Sequence, residues 1–148
     1  MEQQKRNQRF INRRATFDYT LTETETAGLV LTGDEVKAAR LGRVNLTGSY
    51  VKVLFLGGQV PELWLVGANF TGTLDPQRSR KLLVTEAQLK QLIGLTQEKQ
   101  LTLIPLSLYF RAGRLKLDFA VAKGKKNYDK RQALKEQDLD RQAHRAMK

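Results

Sequence analysis

The 148-residue chain has no cysteine and one histidine, His144. The first absence excludes disulfide staples, cysteine-zinc centres and thiol nucleophiles, and the second excludes His-rich metal sites and two-histidine relays. No apolar run approaches the roughly 18 residues of a membrane helix, so no membrane partner is expected. The opening MEQQKRNQRF lacks the apolar stretch of a secretory signal, and the expectation is a soluble, cytoplasmic protein. Acid is scarce as well: 15 Asp and Glu stand against 26 Lys and Arg, a net charge of +11.

Signatures of catalysis are missing too. A phosphate-binding loop requires Gly, four residues, then Gly-Lys and a hydroxyl. Around Gly124-Lys125 those places hold Phe119 and Lys126. The acid pairs Glu23 and Glu25, Asp34 and Glu35, and Asp138 and Asp140 come without a pocket signature and read as turn, cap and tail charges. The chain is expected to be no enzyme and to need no cofactor or metal.

What is present is positive charge, and it is concentrated at the ends. Residues 1–17 hold five basic side chains (Lys5, Arg6, Arg9, Arg13, Arg14) against Glu2. Residues 123–148 hold nine against four acids, which leaves 18–122 with a net charge of only +2. A near-neutral body with cationic extensions suits a polyanion, and nucleic acid is the favoured partner. The expected division is a basic N-terminal arm over 1–14, a folded body over 15–122 and a basic tail over 123–148.

Within the body, apolar residues recur with period two, the pattern of half-buried strands. Residues 103–110 place Ile104, Leu106, Leu108 and Phe110 on one face, and residues 115–122 do the same with Leu115, Leu117, Phe119 and Val121. The intervening Arg111-Ala112-Gly113-Arg114 suits a hairpin with Gly113 at positive φ, and Pro105 should mark an edge or a bulge. Residues 49–56 and 62–68 read as a second hairpin through Gly57-Gly58-Gln59, with Trp64 in the core between Leu63 and Leu65. Residues 17–21 and 27–31 read as two further strands. Thr32-Gly33-Asp34-Glu35 and Thr85-Glu86-Ala87-Gln88 have capping-box spacing, which predicts a helix stopping at Gly42 and another with Leu89, Leu92 and Ile93 facing the core. Many short strands with two or three short helices indicate a mainly β, OB-like antiparallel barrel. From Lys123 onward alternation ends. Leu139, Ala143 and Met147 form only a thin helical stripe, so the tail is expected to be disordered when free and helical when held.

Four stretches in this order resemble one family: Asn12-Arg13-Arg14-Ala15 with Asp18-Tyr19; residues 27–37 from Ala27-Gly28 to Glu35-Val36-Lys37; Arg43 and Asn45-Leu46 with Ser49-Tyr50-Val51; and residues 124–131, Gly-Lys-Lys-Asn-Tyr-Asp-Lys-Arg. Together they are similar to the SsrA-binding protein (small protein B) family. The resemblance implies an OB-like barrel that binds the tRNA-like domain of transfer-messenger RNA, and a tail that lies in the empty mRNA channel of a stalled ribosome. It implies RNA contacts for Asn12, Leu83 and Lys116, with Arg13, Arg14, Lys37 and Arg40 as phosphate partners. It assigns Lys123, Gly124, Lys125, Lys126, Tyr128, Asp129, Lys130 and Arg131 to the ribosome-binding tail, against small-subunit rRNA in the A site and channel. Elongation factor Tu with GTP is implied as an indirect partner, through the charged RNA. Where the family usually has Glu directly before the Ala-Gly pair this chain has Thr26, so Glu25 or Glu23 would have to supply that carboxylate. The alternative is a generic OB-fold ribosomal or single-strand-binding protein.

Overall fold

Residues 9–55, 61–97 and 101–124 are described by a computed structural model. The residues Lys125, Lys126, Tyr128, Asp129, Lys130 and Arg131, the stripe of Leu139, Ala143 and Met147, and the turn Gly57-Gly58-Gln59 lie outside the described residues. The described elements run β1 (Arg9–Ile11), α1 (Ala15–Asp18), β2 (Tyr19–Leu29), α2 (Gly33–Arg40), β3 (Val44–Asn45), β4 (Tyr50–Leu54), β5 (Glu62–Val66), β6 (Asn69–Phe70), β7 (Arg80–Leu83), α3 (Glu86–Thr96), β8 (Leu101–Arg111) and β9 (Arg114–Gly124).

The longest pairing is the β8–β9 hairpin, closed by Ala112 and Gly113, both at positive φ (51° and 79°). Two successive positive φ values give the hairpin turn whose twist matches the flanking strands. On β9 the expected inward residues Leu115, Leu117, Phe119 and Val121 are all in the core. On β8 the expected single face is split. Pairing slips between Pro105 and Ser107, and the extra residue reverses which side chains face inward. Leu101, Leu103, Leu108 and Phe110 therefore join the main core, whereas Ile104 and Leu106 join a second cluster with Ala15 and Ala122 outside it. Strand β8 also changes partner at this bulge: Leu103 is paired with β4, and residues 107–109 with β1.

Antiparallel pairings link β8, β4, β5, β7, β2 and β9 in that order, and β9 pairs back onto β8. The strands thus form a closed ring with β1 added on the outside of β8, and β3 and β6 form a separate two-stranded sheet. Val51, Leu63, Leu65, Leu82, Leu103, Leu108, Leu117, Phe119 and Val121 fill the interior, and Leu92 from α3 and Ala38 and Ala39 from α2 join them. Each large side chain so buried contributes about 1.5–3 kcal/mol.

Both capping boxes form: the Glu35 N–H donates to Thr32 Oγ1 and the Thr32 N–H to Glu35 Oε1, with Thr85 and Gln88 repeating the exchange. Gly42, at φ 79°, follows α2 as expected. Two expectations are corrected. Residues 17–21 and 27–31 are not separate strands: Phe17 lies in α1, and one strand, β2, runs through Tyr19–Leu29. Its polar middle has no apolar face, but β9 pairs with it from Tyr19 to Gly28, with a bulge between Leu21 and Glu23. Trp64 faces outward, because its neighbours Leu63 and Leu65 take the two inward positions.

Candidate RNA interface

Register places five residues in one row across the outside of the sheet. Leu83 on β7 is opposite Gly28 on β2, Gly28 is opposite Lys116 on β9, Lys116 is opposite Tyr109 on β8, and Tyr109 is opposite Arg9 on β1. The side chains point outward because the alternate residues Leu82, Ala27, Leu117 and Leu108 are core. Five strands at 4.7–4.9 Å spacing make this row about 19 Å wide. It brings together two residues assigned from the sequence, Leu83 and Lys116, with three that were not: Gly28, Tyr109 and Arg9. Leu83 is 52% exposed. Gly28 leaves a hollow between the two: a Cβ there would lie 3.5 Å from Leu83 Cβ and 3.7 Å from Lys116 Nζ. A glycine inside a strand at such a point lets another backbone approach closely.

The next residues on the same face form a polar knot. Thr26 Oγ1 and the Tyr109 hydroxyl each donate to Asp118 Oδ1 at 2.8 Å. Arg9 lies over the Tyr109 ring, 4.2 Å from its centroid, donates to Ser107 Oγ at 3.1 Å, and comes within 3.9 Å of Asp118 Oδ2. Burial first, and the bond to Asp118 second, push the Tyr109 phenol above its ordinary pKa, so it stays a donor. Glu25 and Glu23 are occupied elsewhere, accepting from Gln88 at 3.0 Å and Gln91 at 3.5 Å on α3.

The other assigned residues sit apart from this row. Asn12 is buried: its Nδ2 donates to Pro105 O at 2.9 Å and its backbone N–H to Leu106 O at 2.8 Å, which ties the chain to the β8 bulge. Its Oδ1 is buried without a hydrogen-bond partner among the described residues. Arg13 and Arg14 follow it on the surface, Arg14 pairing with Asp18 at 3.3 Å and lying over Phe17. Lys37 and Arg40 are exposed on α2, on the side away from Ala38 and Ala39. Lys123 and Gly124 are exposed at the end of β9, where Gly124 is opposite Tyr19. At about 3.3 Å per residue, the eight steps from Lys116 to Gly124 separate row and tail exit by about 26 Å.

Sequence reasoning also missed what anchors α2 and the 71–79 loop. Arg80 is fully buried, stacked 4.2 Å from the Phe70 centroid. Its Nε donates to Glu35 Oε2 at 2.6 Å, and its other nitrogens donate to the carbonyls of Ala68, Asp75 and Pro76. Arg78 completes the pairing of Glu35. Burial alone would raise the Glu35 carboxyl, but hydrogen bonds from Arg78, the Thr32 N–H and Arg80 outweigh it and hold the pKa at about 2. Beside the row, Trp64 stands between its cross-strand partners Lys52 and Lys81, with its indole N–H on Glu62 at 3.1 Å. No cluster of three or more metal-ligating side chains occurs among the described residues.

A face with cations, flat rings and a glycine in place of a side chain is the equipment RNA recognition needs. Comparison with known proteins decides the family. The family model described as SmpB protein matches residues 9–148. The chain belongs to the SmpB protein family. The SsrA-binding protein of Bifidobacterium adolescentis is 46% identical over 144 residues, covering 93% of this chain and 88% of the relative. That of Coxiella burnetii (strain Dugway) is 42% identical over 146 residues, covering 93% and 89%. A solved structure described as "tmRNA-SmpB: a journey to the center of the bacterial ribosome" contains a chain 37% identical to this one. It superposes with a TM-score of 0.65 and covers 85% of this chain and 94% of its own. These SmpB relatives match at nearly full length.

Proposed function

We infer that this SmpB-family chain is a non-enzymatic RNA-binding adaptor of trans-translation. It binds the tRNA-like domain of transfer-messenger RNA and delivers it to stalled ribosomes for rescue and peptide tagging. The observation that carries this reading is the outward row Leu83, Gly28, Lys116, Tyr109 and Arg9, with the tail leaving the ring about 26 Å away. One molecule then has two separated contact regions, as an adaptor between an RNA and a ribosome requires.

The ring is an OB-like barrel over 15–122, continued by β9 to Gly124, and the basic arm 1–14 is joined to it through β1 and the buried Asn12. Its row grasps the folded RNA by shape, with Lys116 on phosphate, Leu83 against a base or sugar, and the Gly28 hollow admitting the RNA backbone. Arg13, Arg14, Lys37 and Arg40 add phosphate contacts, and Asn12 sets the position of the first two from beneath. The tail beyond Gly124, where β9 ends, probes the mRNA channel, with Lys125, Lys126, Lys130 and Arg131 facing rRNA phosphate and Tyr128 stacking on a base. Resident mRNA excludes this segment by competition, so ribosomes with vacant channels are selected without a codon being read. Elongation factor Tu with GTP joins indirectly, through the aminoacylated RNA, and the work takes place in the cytoplasm.

A binding competition tests the barrel. Labelled tRNA-like domain should resist displacement by an unpaired oligonucleotide of equal length, and equal displacement would favour a generic single-strand binder. Deleting 125–148, beyond the end of β9, should spare that affinity yet abolish tagging in a reconstituted translation reaction. Full tagging by the truncated chain would refute the channel role.

A further inference from the structure

Asp118 is out of place on a surface built for a polyanion. It lies two residues from Lys116 on the same face of β9, with 21% of its side chain exposed. A carboxylate there repels phosphate, so a face acting by charge alone would bind better without it. It is also held in a fixed pose. Hydroxyl donors from two neighbouring strands, Thr26 on β2 and Tyr109 on β8, both converge on Oδ1 at 2.8 Å. Two donors fill one carboxylate oxygen and leave the acceptor capacity on the other. The ion pair recorded for Oδ2 is with Arg9, at 3.9 Å, beyond hydrogen-bond distance.

We propose that Asp118 is a specificity-determining residue of the RNA face, its Oδ2 accepting a hydrogen bond from a ribonucleotide donor while Lys116 beside it holds phosphate. The proposal rests on the RNA-adaptor reading above. The donor is a guanine 2-amino group or a ribose 2′-hydroxyl, the two donors that an RNA minor groove presents to an acceptor. Thr26 and Tyr109 are positioning residues: they orient the carboxylate before RNA arrives, so its rotamer is not ordered at the expense of binding. Glu25 and Glu23 do not compete for this role: they are opposite Phe119 and Val121, on the other face of the sheet from Asp118.

The test uses the full chain and the variant Asp118→Asn, whose amide oxygen can still accept from both hydroxyls. Removing a negative charge should tighten RNA binding if electrostatics alone governs this face. The proposal expects the opposite sign: affinity for the tRNA-like domain falls by roughly tenfold or more, as for a lost bond to a charged group. Affinity for an unpaired oligonucleotide stays level or rises. Unchanged or tighter binding of the tRNA-like domain, with the parent's preference for that RNA intact, overturns the proposal alone. A parent chain with no such preference overturns the function reading and the proposal with it.

Thr26→Val removes one brace and keeps the carboxylate, so its loss should be smaller; a loss equal to that of Asp118→Asn would make bracing the determinant and overturn the proposal. RNAs with inosine for guanosine, or with 2′-deoxyribose, identify the donor. One of the two should abolish the difference between parent and Asp118→Asn. Persistence of the full difference with both overturns a direct contact.

Discussion

Replacing Glu35 by Gln should expose how much of the fold depends on one buried carboxylate. Glu35 is 2% exposed, and its two oxygens receive the Thr32 N–H, Arg78 and Arg80. Glutamine presents an N–H₂ where one oxygen was and leaves Arg80, which is 0% exposed, without a counter-charge. Breaking a buried pair from one side costs about 3–5 kcal/mol. The depressed pKa leads to a similar figure: a carboxyl moved from 4.5 to about 2 on folding stabilises the native state by roughly 3 kcal/mol at neutral pH. The native pKa is the lower one, so this stabilisation is complete above about pH 4.5 and is lost as pH falls toward 2. Urea titrations followed by the fluorescence of Trp64, the sole tryptophan, should show Glu35→Gln less stable by roughly 3 kcal/mol at pH 7. The gap should close as pH approaches 2, where the parent carboxyl also loses its charge. Against a typical total of about 5–15 kcal/mol this loss is large. A difference below about 0.5 kcal/mol at pH 7, within the range of ordinary surface substitutions, would refute the assignment of this network as the anchor of α2 and the 71–79 loop. So would a difference that does not change with pH.

Two further perturbations bear on the RNA face. Lys116→Glu should weaken binding of the tRNA-like domain and make the slope of log affinity against log salt shallower by about one unit. The thermal midpoint should hold, because the side chain lies on the outer face; an unchanged slope would remove Lys116 from the phosphate contacts. Gly28→Ala should leave stability level or raise it by up to about 1 kcal/mol, since the added methyl meets Leu83 and Lys116 at ordinary contact distance. The same methyl should lower RNA affinity by filling the hollow; full affinity would show that the RNA backbone does not enter there.

Local chemistry explains which parts of the fold could be read in advance. The two capping boxes, the Gly42 stop and the positive φ at Gly113 each depend on a few neighbouring residues, and each forms where its spacing places it. The sequence pattern divides strand β2 because Thr22, Glu23, Thr24, Glu25 and Thr26 show no apolar face. What makes them a strand is β9, roughly a hundred residues away in the chain. The direction of Trp64 is a question of phase in a five-residue strand, and its inward neighbours Leu63 and Leu65 would have answered it. Pro105 signalled the bulge, but not that the bulge would exchange the inward faces of β8.

The candidate site divides along the same physical line. Leu83 and Lys116 were reached through resemblance alone, since an exposed leucine and a strand lysine carry no signal of their own. Tyr109 was open to derivation: a two-residue turn at Ala112-Gly113 pairs Arg111 with Arg114, and counting back puts Tyr109 opposite Lys116. Gly28, a glycine within a strand pattern, carried the usual mark of close backbone approach. Nothing local separates Arg78 from Arg80, yet one is partly exposed and the other is sealed beneath Phe70. Asp118 likewise looks like any polar-face residue until strand pairing sets Thr26 and Tyr109 on either side of it. Charge content identifies the class of partner, but the register of the ring determines which atoms meet it. The body over 18–122 carries a net charge of only +2, so recognition there must come from the placement of single groups, as an acceptor fixed beside a lysine would provide.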